Sequence, residues 1–269
     1  MGTATDLALA LDPVAFARRC GITPDDWQAA VLRSTAPQQL LLCSRQSGKS
    51  TTAAILALYT AMYEDGALIL VVSPTVRQSG ELYRRIREAL AVLGPDAPTP
   101  GAESQLRVEF PNGSRITVVP GDAGTVRGYS QVRLLLIDEG SRLADDTYMS
   151  VRPMLATSAG GQLVCMSTPF GRRGWLYREW SEGEGWQRTR ITAADCPRID
   201  RAWLERERAA VGSWWASQEY DCAFVDSLDA VFATEHIEAA LDPSVLPLFP
   251  ITSSLDTLDV GVNGHARVP

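Results

Sequence analysis

The sequence predicts an α/β fold with a mostly parallel central sheet flanked by helices and a small helical lid or linker region beside it. Three observations predict it. Short apolar runs of buried-strand type alternate with longer helical stretches across residues 36–193. A loop, Cys43-Ser44-Arg45-Gln46-Ser47-Gly48-Lys49-Ser50-Thr51, follows the first such run and opens a helix. A later run, Leu134-Leu135-Leu136-Ile137, ends in Asp138-Glu139.

In chain order, residues 1–35 read as short helices. Asp12-Pro13 opens one, and Thr23-Pro24-Asp25-Asp26 caps another that continues through Trp27 to Arg33. Residues 39–43 are the first strand, 51–63 an apolar helix and 67–73 the second strand. Residues 76–93 form a helix whose Arg77, Arg84, Arg85 and Arg87 read as a solvated face. Residues 106–110 and 114–119 flank Pro111-Asn112-Gly113, a hairpin signal. Residues 132–137 and 162–167 are buried strands, and 186–192 alternate as a further strand. Composition shifts after residue 193. Residues 200–219 are charged and helical and carry Trp203, Trp214 and Trp215, whereas the prolines of 242–250 mark a linker. The expected organisation is a helical segment (1–35), a core (36–193), a helical lid and linker (194–250), and a tail or the incomplete start of another domain (251–269).

Composition excludes several functions. No window reaches the roughly 18 uncharged apolar residues of a membrane helix. The N-terminus lacks a basic stretch before its short apolar run, so no cleaved signal peptide is expected. Five scattered cysteines without a Cys-x-x-Cys pair argue against a disulfide framework or zinc site and fit a reducing cytoplasm. With only His236 and His265, there is no material for a Ser-His-Asp hydrolase or a His-rich metal site, and His236 is given no role. A net charge of −7 does not suit a chain coated in nucleic acid, but leaves room for a local arginine patch. Lys49 is the only lysine, and it stands where a compact point charge is needed and arginine substitutes badly.

A strand, the run Ser47-Gly48-Lys49-Ser50-Thr51 and a helix, in that order, form the context of a P-loop. Backbone N–H groups of Arg45, Gln46, Ser47, Gly48 and the helix start are expected to cradle phosphates. Lys49 is expected to reach the β- and γ-phosphates of ATP, and the Ser50 hydroxyl to hold Mg²⁺. Cys43 departs from the usual first glycine. At the C-terminal end of a buried parallel strand, Asp138 is expected to complete the Mg²⁺ shell and Glu139 to orient and polarise the attacking water. The alternative is a solvated acidic turn; the position downstream of the loop in the same α/β run favours the site. Asp-Glu also points to an ATPase with a catalytic glutamate rather than a switch GTPase, and no Asn-Lys-x-Asp guanine-reading sequence is present.

With these residues in place, roughly residues 27–238 resemble the ATPase domain of the large terminase subunit of tailed phages. The arginine-bearing loop is the most specific piece and accounts for the departure at Cys43. Ser73-Pro74-Thr75, then Met166-Ser167-Thr168-Pro169 followed by Gly171 and Gly174, then Gln218-Glu219-Tyr220-Asp221-Cys222-Ala223-Phe224 match in order. The resemblance implies a P-loop NTPase of the ASCE, RecA-like type that uses ATP and Mg²⁺ to move double-stranded DNA into a prohead. It further implies a homo-oligomeric ring, a portal and a small terminase subunit as partners, the host cytoplasm as location, and no membrane. Trp27-Gln28 resembles an adenine-reading motif, since a glutamine amide donates and accepts at once; a buried core tryptophan is the alternative for Trp27. Arg127, in Gly124-Thr125-Val126-Arg127-Gly128, matches an arginine offered to the neighbouring subunit's ATP, or is a surface loop arginine. Arg45 contacts the γ-phosphate in cis or is itself the finger. Thr168 matches the residue coupling hydrolysis to movement, or belongs to a strand-end turn. Arg172 and Arg173 touch DNA phosphates or are solvated.

Full-length members of that family carry a C-terminal nuclease. Ser254-Leu255-Asp256-Thr257-Leu258-Asp259-Val260 reads as its first strand, with Asp256 or Asp259 as a metal ligand. One strand cannot build a two-metal site, so no nuclease activity is expected from this chain. Two other functions compete with this one. A helicase-like or defence-associated DNA translocase needs a second RecA-like domain, for which there is no room. A non-catalytic nucleotide-binding relic fits poorly with intact Lys49, Asp138 and Glu139.

Overall fold

Cap chemistry sets the first helices. In the computed structural model, which describes residues 3–94, 97–101, 103–104, 106–121, 126, 128–226 and 240, α1 (Thr3–Leu11) stops at Asp12. The Asp12 carboxylate accepts the Val14 N–H at 3.1 Å and opens α2 (Pro13–Arg19). Pro13 needs no amide proton at that position. Asp25 opens α3 (Asp26–Arg33) in a capping box, with Gln28 Oε1 accepting the Asp25 N–H at 2.9 Å.

The strands are β1 (Gln38–Cys43), β2 (Leu68–Ser73), β3 (Glu103–Ser104), β4 (Arg107–Glu109), β5 (Arg115–Pro120), β6 (Val132–Asp138), β7 (Gln162–Ser167) and β8 (Gln187–Ile191). They form one sheet in the order β3-β4-β5-β2-β6-β7-β1-β8. Every pair from β5 to β8 in that order is parallel. The hairpin read at Pro111-Asn112-Gly113 supplies the antiparallel edge β4–β5, extended by β3. Every residue of β2 is buried, as its unbroken apolar run requires of a strand covered on both faces.

The period of two along each strand builds two cores. Leu41, Ile69, Val71, Leu134, Leu136 and Val164 face α4 (Lys49–Tyr63), α5 (Val76–Leu93) and the N-terminal helices through Phe16, Ile55, Leu58 and Ile86. Leu40, Leu42, Leu70, Leu135, Ile137 and Leu163 face the other way, against Tyr148 of α6 (Asp145–Val151) and Trp175 of α7 (Gly174–Ser181). These two rings stack 3.8 Å apart.

Among the described residues, one strand and two α-helices were not anticipated: β3, α6 and α7. The two helices have 7 and 8 residues, too few turns to set a periodicity. The single helical stretch expected over 200–219 is two helices, α8 (Arg201–Val211) and α9 (Ser213–Glu219), because Gly212 takes φ 82° between them. A small cluster of Ala193, Leu204, Ala216 and Tyr220 joins them. All five thiols are free and buried, and burial raises the pKa of each, so none is a poised nucleophile.

The described residues other than Ala240 belong to one compact unit, Met1–Ser227. The expectations for the 242–250 linker, His236, Asp256 and Asp259 lie outside the described residues, and so does that for Arg127. Among the described residues no helix is long and apolar enough to cross a membrane.

Candidate active site

Residues 44–48 leave the sheet at the C-terminal end of β1. Cys43 is still a strand residue, paired with Ile191 of β8 and fully buried. The chain therefore needs no glycine there. The left-handed positions fall later, at Gln46 (φ 62°) and Gly48 (φ 98°). A Cβ on Gly48 would stand 2.9 Å from Gln28 Nε2 and 3.0 Å from an Arg198 guanidinium nitrogen, so both conformation and close approach call for glycine. The first N–H groups of α4 have no intrahelical acceptor. Ser47 Oγ is buried with no protein partner. Such unspent donors suit a bound phosphate.

β7 lies between β1 and β6, and the ends of all three strands meet beside the loop. Ser50 Oγ donates to Asp138 Oδ2 at 3.1 Å. Lys49 Nζ lies 2.7 Å from Glu139 Oε1, with the two side chains only 12% and 20% exposed. Burial pushes Asp138 up to about 6 against the pull of the Lys49 charge. Burial also opposes the Lys49 ammonium, but Glu139 and Asp138 outweigh it and hold that pKa above its ordinary value. Mg²⁺ takes oxygen ligands and keeps several for water and phosphate. A hydroxyl and a carboxylate 3.1 Å apart fit that role, and among the described residues no larger cluster of metal-ligating side chains occurs.

Glu139 has φ 55°, unusual for a residue with a side chain. The strand thus ends abruptly and presents the carboxylate to Lys49. The next turn, Gly140–Arg142, packs tightly: a Cβ on Gly140 would meet Cys165 Sγ at 2.5 Å. The Ser141 N–H donates to Ser167 Oγ at 2.9 Å, and Ser141 Oγ donates to the Thr168 carbonyl at 2.7 Å. Thr168 Oγ1 in turn donates to the Cys43 carbonyl at 3.1 Å. The end of β7 is thereby tied both to the turn after Glu139 and to the entrance of the phosphate loop.

Arg45, Gln46, Lys49, Glu139 and Thr168 line one cavity of about 300 Å³. Arg45 Nε donates to the Glu219 carboxylate of α9, and the Arg45 N–H donates to the Glu219 carbonyl at 3.1 Å. Gln218, fully buried, accepts the Gly171 N–H at 3.3 Å and donates to Glu219 Oε1 at 3.2 Å. The loop after β7, the last helix and the phosphate loop are thus joined by side-chain hydrogen bonds.

Other expected site residues do not line this cavity. The Gln28 amide is committed to the protein: its oxygen accepts the Asp25 N–H, and Nε2 donates to Thr52 Oγ1 at 2.9 Å. Trp27 is half-buried and packs on the core. Thr51 Oγ1 accepts from Arg85 at 3.2 Å. Arg172 donates to the Phe224 carbonyl, and Arg173 lies over the Phe170 ring. Sequence reasoning missed Arg198, which donates to the Ser47 carbonyl at 2.5 Å and pairs with Asp25 at 2.7 Å. No local pattern marks it. Glu219 belongs to the run 218–224, but nothing local in that run signals its pairing with Arg45.

A mostly parallel sheet with a strand inserted between the phosphate-loop strand and the acidic strand, and a glutamate directly after the acidic aspartate, defines a P-loop fold of the additional-strand, catalytic-glutamate class. The family model described as phage terminase large subunit matches residues 36–211, more than half of the chain. The chain belongs to that family. The large terminase subunit of Thermus phage G20c is 25% identical over 254 residues, covering 81% of this chain and 52% of that protein. This chain therefore spans about half the length of the curated relatives it matches. Among solved structures, the large terminase ATPase domain of Thermus phage P74-26 superposes with a TM-score of 0.68 at 22% identity, over 78% of this chain and 97% of that one. The large terminase of the thermophilic bacteriophage D6E in complex with ATP-gamma-S gives 0.58 at 14% identity, over 74% and 52%.

Proposed function

We propose that this chain is the ATP-hydrolysing portion of a motor that drives double-stranded DNA into a phage prohead. The observation that carries the reading is the convergence of Lys49 on Glu139 at 2.7 Å beside the Ser50–Asp138 contact at 3.1 Å, at the mouth of the phosphate loop. A solved relative holds ATP-gamma-S, which supports ATP as substrate.

The loop amides, with Gln46, Ser47, Gly48 and Thr51 at the helix start, hold the phosphates, and Lys49 meets the β- and γ-phosphates. Ser50 and Asp138 hold Mg²⁺, which when bound neutralises charge on the phosphate oxygens. An incoming γ-phosphate gives Lys49 a new anion and releases Glu139. The freed carboxylate orients a water and accepts its proton as the water oxygen bonds to the γ-phosphorus and the bond from that phosphorus to the β–γ bridging oxygen breaks, leaving ADP and inorganic phosphate. Arg45 lies in the same cavity and reaches the γ-phosphate in cis. Thr168, bonded to the Cys43 carbonyl, transmits loop movement to the 168–174 segment and from there to DNA.

Gln28 braces the phosphate loop through Thr52, and Trp27 packs behind it near the base. Arg127 from a neighbouring subunit stabilises charge on the transferring phosphoryl group, so the working form is a homo-oligomeric ring. That ring meets a portal and a small terminase subunit in the host cytoplasm.

Nucleotide binding and turnover of three proteins test this reading. Glu139→Gln should bind ATP like the wild type while turnover falls about 10²-fold or more. Lys49→Ala should lose both. Wild-type turnover in Glu139→Gln would overturn the assignment.

A further inference from the structure

Three cations line the cavity at the phosphate loop: Lys49, Arg45 and Arg142. Two of them are already matched by a carboxylate, Lys49 by Glu139 and Arg45 by Glu219. Arg142 has no carboxylate within ion-pair distance among the described residues. Its guanidinium lies over the Phe170 ring, 4.0 Å from the centroid. The uncompensated positive charge of the cavity is therefore that of Arg142.

We infer that Arg142 is a third phosphate-reading cation of this cavity, resting on Phe170 and moving to the terminal phosphate of a bound nucleoside triphosphate. The inference rests on the nucleotide reading above and adds a residue to it. Position selects the terminal phosphate. Lys49 and the loop amides approach from the α4 side, whereas Arg142 closes the turn that begins directly after Glu139. Its backbone N–H donates to the Glu139 carbonyl at 2.9 Å, so its main chain is fixed relative to the residue that orients the water.

Energetics favour the exchange. Arg142 is exposed and Phe170 half-buried, and a cation–ring contact whose cation stays in solvent is held weakly. A guanidinium paired with phosphate forms charge-assisted, often bidentate bonds, which are much stronger. Phe170 lies on the loop after β7, and Arg173 covers the same ring at 5.0 Å. When Arg142 leaves, the ring keeps one cation in place of two. The arrival of a terminal phosphate is thereby felt on the 168–174 segment.

The test compares affinities for ATP-gamma-S and ADP, with Mg²⁺ present, in the wild type, Arg142→Gln, Arg142→Lys and Phe170→Leu, each checked for cooperative melting. Arg142→Gln should weaken ATP-gamma-S binding about tenfold or more, because a hydrogen bond to a charged group is lost, and leave ADP binding within about twofold. Arg142→Lys should fall between, since a point charge replaces a fork. Phe170→Leu keeps the charge and removes its resting place, so ATP-gamma-S affinity should hold or rise.

Equal weakening of both nucleotides by Arg142→Gln, or no change in either, would overturn the inference. So would a selective loss of duplex-DNA affinity, which would make Arg142 a DNA-phosphate contact. Failure of the wild type to bind either nucleotide would instead remove the nucleotide reading itself.

Discussion

Replacing Gly140 with alanine puts a methyl group where the structure has no room for one. The new Cβ would stand 2.5 Å from Cys165 Sγ and 3.0 and 3.2 Å from two ring carbons of Trp175. Ordinary contacts between such atoms lie near 3.5–4.0 Å. Neither neighbour can yield easily. Cys165 is fully buried in β7, opposite Leu40 on one side and Ile137 on the other. Trp175 is stacked on Tyr148, and its indole N–H donates to the Leu143 carbonyl at 3.1 Å. The turn itself must move, and Glu139 moves with it.

Overpacking of this kind costs about 1–3 kcal/mol. Gly140 does not occupy a positive φ, so the cost is steric rather than conformational. A carboxylate displaced by about 1 Å from its working position can lose on the order of 10²-fold in rate. Urea unfolding and ATP turnover should be measured for Gly140→Ala, Cys165→Ala and the double variant. The double variant should regain part of both, with a coupling of about 0.5–3 kcal/mol; recovery stays partial because Trp175 remains close. Strictly additive losses, or a Gly140→Ala protein that behaves like the wild type, would refute the reasoning.

Three further outcomes are expected. Gln28→Leu leaves the Asp25 N–H without its acceptor and should cost about 1–3 kcal/mol in urea unfolding; a change in ATP-over-GTP preference beyond that loss would show the amide turning to the base. Arg198→Met removes the donor to the Ser47 carbonyl, and titration should show weaker ATP binding with the rate at saturation nearly unchanged. Asp12 is held below its ordinary value of 3.8 chiefly by its hydrogen bonds to Arg33, with a further contribution from the Val14 N–H. Its stabilisation is therefore present above about pH 4 and lost as pH falls through the lowered value. Asp12→Ala should cost about 1 kcal/mol at neutral pH, and the gap in unfolding midpoint should shrink below about pH 4; an undiminished gap would contradict the pairing.

Much of the fold was legible because its signals are local. Unbroken apolar runs marked the central strands, Asp12 and Asp25 marked helix starts, and Asn112-Gly113 marked the hairpin. The phosphate loop and Asp138-Glu139 were legible for the same reason, as short strings at strand ends. What escaped the sequence depends on contacts between distant positions. Arg45 finds Glu219 across 174 positions, and Arg198 finds the Ser47 carbonyl across 151. No periodicity encodes such pairs. Helices α6 and α7 escaped because two turns carry too little pattern, although their stacked Tyr148 and Trp175 anchor one core. The helix break at Gly212 is masked in the sequence because the surrounding charge pattern runs through it.

The most direct test of the proposed motor is ATP turnover per subunit over a range of protein concentrations, with and without duplex DNA, using Glu139→Ala as the blank. Turnover should exceed the blank and, with Arg127 of one subunit completing the site of the next as proposed, rise more than linearly with concentration. A rate no higher than the blank at every concentration, with DNA present, would contradict it.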